Sequence, residues 1–398
     1  MTTEQKRYDF NRVIDRHGSG CTKFDELKSF FGKEDLTPMW IADMDFPVCP
    51  EITEALQRRI AHPIYGYSLP DEGYWESITA WLRRRHDWEV ARNEITFVPG
   101  VVKGIAFAIN FFTKRGDKVL IQPPVYHPFK RVIEGNGRIV VPAPLSFSEE
   151  DHTFSMDLEG LEEIIARERP RMMILCNPHN PIGLQWDRET LGAIGTICRR
   201  YGVVVISDEI HGDLVLYGKP HYPFAACGED AEAVAVTFGA PSKTFNIPGL
   251  VSSWCVVKNP ELREPFFEWL EANEFNATTF VSTIGAEAAY NNGEPWLAEA
   301  VAYVEDNIRF TREFLASRLP QIKMVEPEAS FLIWMDFRDL GLTHDELVDL
   351  VTNRARLALN DGEMFGPEGV GFMRVNIATP RCCLQAALEC LERAINDK

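Results

Sequence analysis

Short runs of apolar and β-branched residues alternate with longer segments of helical periodicity through the middle of the chain. Seven runs are predicted to be strands, most of them apolar at nearly every position: Glu94–Val98, Lys118–Ile121, Arg138–Val141, Arg171–Leu175, Val203–Ser207, Ala233–Phe238 and Ser253–Val257. A continuous apolar pattern is typical of strands that are covered on both faces. Helices are predicted between them, among them Val102–Thr113, Leu158–Arg169 and Arg188–Tyr201. This alternation predicts an α/β domain built on a parallel sheet.

The C-terminal part of the chain has a different pattern. A long helical segment is followed by shorter elements of both kinds: helix Glu294–Arg318, strand Phe331–Asp336, helix Thr343–Asn353, strand Gly371–Ile377 and helix Leu384–Asn396. We therefore predict three units: an N-terminal segment (1–50) that joins the small domain, a large α/β domain (51–289), and a small α+β domain (290–398). A chain of 398 residues is expected to divide, because single cores stop growing at about 250–300 residues.

Composition excludes several classes of protein. Hydrophobic residues make up 45% and charged residues 25%, as in folded globular proteins, and the net charge of −18 argues against a nucleic-acid partner. No apolar run approaches the ~18–20 residues of a membrane span, and the polar start does not resemble a secretory signal. The nine cysteines lack the spacing of zinc sites or disulfide frameworks. We expect reduced thiols in the cytoplasm, no metal site and no membrane partner.

Polar side chains follow two of the predicted strands at the edge where open α/β sheets bind ligands. Asp208 ends a buried run, and a carboxylate there needs a positive partner such as a protonated pyridine nitrogen. Alternatively, it only caps the next element. Lys243 follows another strand among small polar and apolar residues, which suits a dry pocket. Desolvation would lower its pKa and make it a nucleophile, whereas a solvated surface charge is the plainer alternative.

Two further loops leave strands at the same predicted edge. The segment Asn177–Gly183 contains two Asn-Pro pairs and a glycine, which favour a rigid loop that can aim an amide at a ligand or simply turn the chain. The segment Pro99–Gly104 joins a strand to a helix, and its free N–H groups can hold a phosphate. It matches neither the GxGxxG nor the P-loop pattern.

Together and in this order, these features resemble the fold-type I pyridoxal 5′-phosphate (PLP) enzymes of the aspartate aminotransferase superfamily. The family order is phosphate loop, stacking aromatic, NPxxNPxG, aspartate and lysine, with an arginine later: here Gly100–Val102, Tyr126, Asn177–Gly183, Asp208, Lys243 and Arg374. The resemblance covers nearly the whole chain. It implies the PLP-dependent transferase fold, with a mostly parallel central sheet, helices on both faces, and a smaller α+β domain.

Shorter segments narrow the resemblance to the MalY/PatB branch, whose members are carbon–sulfur β-lyases that include cystathionine β-lyases. These segments are DRHG at 15–18, CTKFD at 21–25, IADMDF at 41–46, YGYS at 65–68, SDEIH at 207–211 and SKTFNIP at 242–248. The branch implies β-elimination of cystathionine or related cysteine S-conjugates to thiol, pyruvate and ammonia. Two alternatives stay open: an aminotransferase on the same scaffold, and a PLP-holding regulator that contacts another protein.

The resemblance also implies a role for each matching residue. Lys243 carries PLP as a Schiff base and later moves the α-proton, while Asp208 pairs with the pyridine nitrogen. Arg374 binds the carboxylate of an amino-acid substrate, with Asn180 and Tyr67 beside it. The remaining cofactor contacts are the phenolic-oxygen partners Asn180 and His211, the stacking ring of Tyr126, and the phosphate ligands Gly100, Val101, Val102, Ser242 and Tyr67. Tyr67 is expected to act across the interface of a homodimer.

The chain departs from the superfamily at two phosphate positions. Ala240, three residues before the lysine, replaces a frequent serine, and Val251, eight residues after it, replaces a frequent arginine. We add Lys103 as a further candidate for the phosphate, although it is otherwise an exposed first-turn lysine. Asp43 and Asp45 are expected to fix the N-terminal segment over the site rather than to act as acid or base.

Overall fold

The strands follow the apolar runs closely in the computed structural model, which describes residues 8–396. They are β1 Thr37–Pro38, β2 Ile95–Val98, β3 Lys118–Ile121, β4 Ile139–Pro142, β5 Ser146–Ser148, β6 Thr153–Ser155, β7 Met172–Cys176, β8 Val204–Asp208, β9 Ala235–Gly239, β10 Ser253–Val256, β11 Lys323–Val325, β12 Leu332–Asp336, β13 Leu357–Ala358, β14 Asn360–Asp361 and β15 Phe372–Asn376. All seven strands predicted in the middle of the chain are present, and no end is shifted by more than two residues.

The helices surround these strands. They are α1 Thr22–Asp25, α2 Leu27–Phe31, α3 Pro50–Ile60, α4 Glu72–His86, α5 Val101–Phe112, α6 Pro128–Gly135, α7 Leu158–Glu168, α8 Arg188–Tyr201, α9 Glu229–Val234, α10 Pro241–Thr244, α11 Pro260–Ala272, α12 Phe280–Asn292, α13 Glu294–Arg318, α14 His344–Val348 and α15 Arg381–Asn396. The segment predicted as one helix, 343–353, is α-helical only in its first part. The α-helix α14 ends at Val348, and a π-helical turn, Asp349–Arg354, follows it directly. Within the described residues, no helix is long and apolar enough to cross a membrane.

The seven central strands form one sheet in the order β2-β10-β9-β8-β7-β3-β4. The pairs β9–β8, β8–β7, β7–β3 and β3–β4 are parallel, whereas β10 is antiparallel to both of its neighbours. The prediction of a mostly parallel central sheet is therefore confirmed, and β10 is the strand that departs from the purely parallel sheet expected from the strand–helix alternation. Residues 240–252 form α10 and a short 3-10 turn and contain no crossover helix. The chain thus enters β10 from the edge at which β9 ends.

Both faces of the central sheet are covered, which explains the continuous apolar pattern. In β8, Ile206 belongs to a core that also contains side chains of α5, α6 and α11. The preceding residue, Val205, belongs to the larger core, which includes side chains of α8 and α9. Because successive strand residues point to opposite faces, both must be apolar.

A smaller antiparallel sheet lies in the C-terminal part of the chain, in the order β11-β12-β15-β14. The N-terminal segment is joined to this part, because β1 pairs in parallel with β13. This pairing supports the predicted association of the N-terminal segment with the small domain. The domain limits at residues 50 and 290 stay predictions.

Candidate functional site

A cavity of about 350 Å³ lies at the edge of the central sheet where β2, β7, β8 and β9 end. Its volume is at the lower end of the ~300–1,000 Å³ typical of small-molecule sites. The predicted residues in its wall are Gly100, Val101, Val102, Lys103, Tyr126, Asn180, Asp208, His211, Ser242 and Lys243. Positions that are far apart in the sequence meet here because parallel strands end at a common edge.

Lys243 lies on α10, which begins two residues after the end of β9. Its amine donates a hydrogen bond to the carbonyl oxygen of Ala42. Burial lowers the pKa of Lys243 to about 8, with smaller and opposing effects from the neighbouring charges of Asp43, Arg374 and Asp208. A larger fraction of the amine is therefore neutral near pH 7 than for an exposed lysine, which makes it a better nucleophile.

The helix that carries Lys243 is anchored from behind. Thr244 Oγ1 donates to Asp213 Oδ2 at 2.8 Å. The other oxygen of the Asp213 carboxylate lies 2.8 Å from both Trp81 Nε1 and His86 Nε2. Both partners belong to α4, so this buried cluster ties α10 to a long helix of the large core.

Asp208 is the last residue of β8 and is only 4% exposed. It accepts a hydrogen bond from the backbone N–H of Ile210 at 3.2 Å. Burial raises the pKa of Asp208 to about 7, because no nearby group fully compensates the cost of desolvating the carboxylate. A cationic group placed against Asp208 in the cavity would stabilise its ionised carboxylate. A protonated ring nitrogen is such a group.

The opposite wall offers backbone donors. Gly100 caps α5 with φ +110°, a conformation that favours glycine, and no side chain caps this helix. The first N–H groups of α5, at Val101 and Val102, have no helical acceptor. A Cβ on Gly104 would lie 2.5 Å from the ring of Phe238, so α5 packs directly on β9. The arrangement suits an anion such as a phosphate.

Two serines complete this part of the wall and were not predicted. Val251 lies in the wall with φ +53° and provides no positive charge at the position of the family arginine. Ser252 and Ser253 lie beside it in the wall. Because β10 is antiparallel, its first residue lies at the cavity edge. The start of β10 therefore lies at the same edge as the ends of the parallel strands, and both serines reach the cavity wall. Assigning β10 as antiparallel from the sequence would have identified these two serines.

Arg374, on β15, is buried beside the cavity, with 3% of its surface exposed. It donates to Asn180 Oδ1 at 3.0 Å, to Asn360 Oδ1 at 2.6 Å and to the carbonyl oxygen of Trp40 at 2.9 Å. Burial lowers its pKa to about 10, so it stays charged at neutral pH. Within residues 8–396 it forms no ion pair, and its Nε has no hydrogen-bond partner. An uncompensated buried cation is a binding site for a carboxylate.

His211 and Tyr126 line the cavity without a charge of their own. His211 is buried, its Nδ1 lies 3.1 Å from Ser330 Oγ, and burial lowers its pKa to about 3. The imidazole is therefore neutral. Burial also raises the pKa of the Tyr126 hydroxyl. A neutral imidazole can donate or accept a hydrogen bond, as contact with a phenolic oxygen requires, and the ring of Tyr126 offers a surface for stacking.

The segment 40–46 lies across the site and is held there by two asparagine side chains. Asn246 Nδ2 donates to the carbonyl oxygens of Met44 and Phe46 at 2.9 Å, and its Oδ1 accepts from the N–H of Met44 at 2.9 Å. Asn376 Nδ2 donates to the carbonyl oxygens of Ile41 and Asp43 at 2.6 Å. The sequence places Asn246 in the SKTFNIP segment and Asn376 in a predicted strand, but neither was assigned a role.

The charged residues of the N-terminal motifs pair with one another. Arg16 contacts Asp43 at 2.6 Å and Asp45 at 2.8 Å, and Lys23 contacts Asp45 at 2.8 Å. These pairs hold the beginning of the chain against segment 40–46. The arrangement supports the prediction that Asp43 and Asp45 fix this segment.

Tyr67 lies outside the cavity of its own chain. Its side chain is fully exposed, and together with Tyr65 it lines a separate cavity of about 890 Å³. The structure therefore does not bring Tyr67 together with the other predicted site residues. Its contribution to a second subunit stays a prediction.

Comparisons with known proteins agree with this geometry. The model of the aminotransferase class I and II family matches residues 34–390. Cystathionine beta-lyase PatB of Bacillus subtilis is 41% identical over 98% of this chain and 100% of its own length. Protein MalY of Escherichia coli is 33% identical over 98% of this chain and 99% of its own.

A solved structure extends the agreement to three dimensions. Cystalysin from Treponema denticola, which contains a pyridoxal 5′-phosphate cofactor, superposes with a TM-score of 0.93 at 32% identity, covering 98% of this chain and 99% of that one. The PLP-dependent transferase fold expected from the sequence is confirmed. This chain belongs to the class I and II aminotransferase family.

Proposed function

We propose that this chain is a PLP-dependent carbon–sulfur β-lyase, which converts cystathionine or related cysteine S-conjugates to thiol, pyruvate and ammonia. The observation that carries the proposal is a single cavity that joins a desolvated lysine amine, a buried carboxylate and an uncapped helix N-terminus. A full-length relative at 41% identity is named a cystathionine beta-lyase. Both support lyase chemistry at Lys243.

The residues in the cavity wall fit PLP. Asp208 would hold the ring nitrogen and Lys243 the aldehyde carbon, with the first turn of α5, Ser242 and the neighbouring Ser252 around the phosphate. Asn180 and His211 would contact the phenolic oxygen, and Tyr126 the ring face. When bound, PLP withdraws electrons from the substrate Cα and so weakens its bond to hydrogen.

The chain's own groups then perform three tasks. Arg374 binds the substrate carboxylate and orients the Cα–H bond, since its guanidinium can donate two parallel hydrogen bonds. The amine of Lys243 accepts the Cα proton as a general base. Asp208, ionised beside the ring nitrogen of PLP, would keep that nitrogen protonated and positively charged. A thiolate leaves readily because the conjugate thiol has a pKa of about 8.5.

The proposal is tested with the purified protein, PLP and L-cystathionine in the absence of any keto acid. We expect pyruvate and free thiol to appear in equal amounts. If pyruvate is absent and amino acids instead convert the bound cofactor to its pyridoxamine form, the chain is an aminotransferase. S-ethyl-L-cysteine is the matched second substrate, because it shares the reacting atoms but lacks the distal amino-acid group.

The proposal includes a homodimer in which Tyr67 reaches the phosphate site of the other subunit. Support comes from four exposed apolar side chains beside the 890 Å³ cavity: Ile64, Tyr65, Tyr67 and Leu69. Exposed apolar side chains that cluster in this way typically mark an interface. The cytoplasmic location expected from the cysteine pattern also stays a prediction.

Replacing Tyr67 by phenylalanine should weaken PLP binding by about 10–100-fold, because a hydrogen bond to a charged phosphate contributes roughly 1.5–3 kcal/mol. The variant should remain dimeric, since only a hydroxyl is lost. Equilibrium dialysis with PLP and sedimentation velocity measure the two properties. A wild-type monomer that retains PLP, or a variant with unchanged PLP affinity, would contradict the cross-subunit role.

A further inference from the structure

A second cavity, of about 590 Å³, adjoins the first. Ala42, Lys243 and Pro248 lie in the walls of both, so the two cavities meet at the reactive lysine. The rest of the second wall comes largely from the N-terminal part of the chain, with Arg16, Asp43 and Asp45 among apolar residues. The role proposed above for the first cavity leaves this space without a function.

The contacts of segment 40–46 indicate what reaches the second cavity; this step rests on the proposed function. Arg374 donates to the carbonyl oxygen of Trp40, and Lys243 to that of Ala42. A substrate whose carboxylate is held by Arg374 and whose proton is taken by Lys243 therefore has its Cα beside this segment. Its amino group faces the first cavity, so the remaining substituent, Cβ with its sulfur, is directed to the second.

Apart from Lys243, the charged side chains in the second wall and directly behind it balance. Arg16 and Lys23 are cationic, Asp43 and Asp45 are anionic, and the contacts of 2.6–2.8 Å described above join them. The side chains of Arg16, Asp43 and Asp45 keep 22%, 14% and 12% of their surface exposed, whereas Lys23 is 1% exposed. The first three can therefore interact with a molecule in the cavity, and Lys23 neutralises them from behind.

We propose that the second cavity binds the β-substituent of the sulfur substrate and selects it by charge. Arg16, Asp43 and Asp45 in the wall, with Lys23 behind them, form a cluster of two positive and two negative groups. Such a cluster accepts a neutral or zwitterionic substituent, such as the distal amino-acid end of cystathionine. A singly charged substituent would disturb this balance in a low-dielectric space. Removing one charge from the wall therefore shifts the preference between anionic and cationic substituents in a direction fixed by the charge removed.

Two variants with opposite effects test the proposal on the carboxyethyl and aminopropyl thioethers of L-cysteine. These substrates are similar in length and opposite in distal charge. Asp43→Asn should raise the ratio of kcat/KM for the anionic over the cationic thioether by about tenfold, and Arg16→Gln should lower it by a similar factor. A change in the pKa of Lys243 or in the amount of folded protein affects the kcat/KM of both substrates equally, so it cancels in the ratio. Asp345→Asn is the control, because it removes an exposed charge that lines neither cavity.

Binding gives a second readout that does not need turnover. In a Lys243→Ala background, the dissociation constants of the two thioethers, followed by the absorbance of bound PLP, should shift in the same directions. If both ratios stay unchanged in Asp43→Asn and Arg16→Gln while thioethers are cleaved, the subsite lies elsewhere and the inference is overturned. If no thioether is cleaved, the proposed function fails, and the binding ratios still decide the subsite.

Discussion

Replacing Lys243 by alanine is expected to lower pyruvate release from L-cystathionine by about a thousandfold or more. Two losses combine: the amine that captures the aldehyde carbon of PLP, and the general base at Cα, which alone contributes about 10²–10⁴-fold. The visible absorption band of lysine-bound PLP should disappear as well. Steady-state pyruvate assays and an absorption spectrum of the purified variant measure both.

The pH dependence of PLP capture gives an independent test of the same residue. Burial lowers the pKa of Lys243 to about 8, and only the neutral amine attacks an aldehyde. The rate at which the apoprotein captures PLP should therefore rise with pH up to about 8 and then level. Lys28→Ala, at an exposed lysine paired with Glu34, is the matched control and should retain band and activity. A Lys243→Ala variant that kept the covalent band would place the attachment at another lysine.

The strands were predictable because each is buried on both faces and therefore apolar at almost every position. The direction of β10 was not, because it depends on where residues 240–252 run rather than on the composition of the strand. The π-helical turn Asp349–Arg354 was missed for a related reason. Its apolar spacing continues that of α14, so the pattern does not distinguish one long helix from two unlike segments.

Some of the site residues were likewise predictable from the sequence, and others were not. Asp208, Asn180 and Lys243 were predictable because each follows a buried strand, and parallel strands bring their ends together. The contacts that hold segment 40–46 were not predictable. Asn246 and Met44 are 202 positions apart, and no local pattern indicates their pairing. Tyr67 differs again, because the role expected of it requires a second chain.

Replacing Asp208 by asparagine is expected to lower kcat for β-elimination by about 10²–10³-fold while the covalent PLP band persists. The amide has nearly the shape of the carboxylate but no charge, so it cannot keep a proton on the ring nitrogen. A preorganised charge of this kind in a dry site typically contributes about two to three orders of magnitude. Lys243 is unchanged, so attachment of PLP should survive. Single-turnover kinetics with L-cystathionine separate the proton-transfer step from product release.

Glu209→Gln distinguishes this electrostatic role from general damage to the buried edge of the sheet. Glu209 is also buried, at 7% exposure, but its carboxylate accepts from Ser207 Oγ and the N–H of Phe224 at 2.8 Å and lies 3.0 Å from His221 Nε2. None of these partners lines the cavity. Glu209→Gln should therefore lower the Tm and leave kcat nearly unchanged, because an amide NH2 replaces one of the two acceptor oxygens in this buried hydrogen-bond network. Asp208→Asn should show the reverse. If both variants lost stability and activity in proportion, Asp208 would be a structural residue, and another group would have to keep the ring nitrogen protonated.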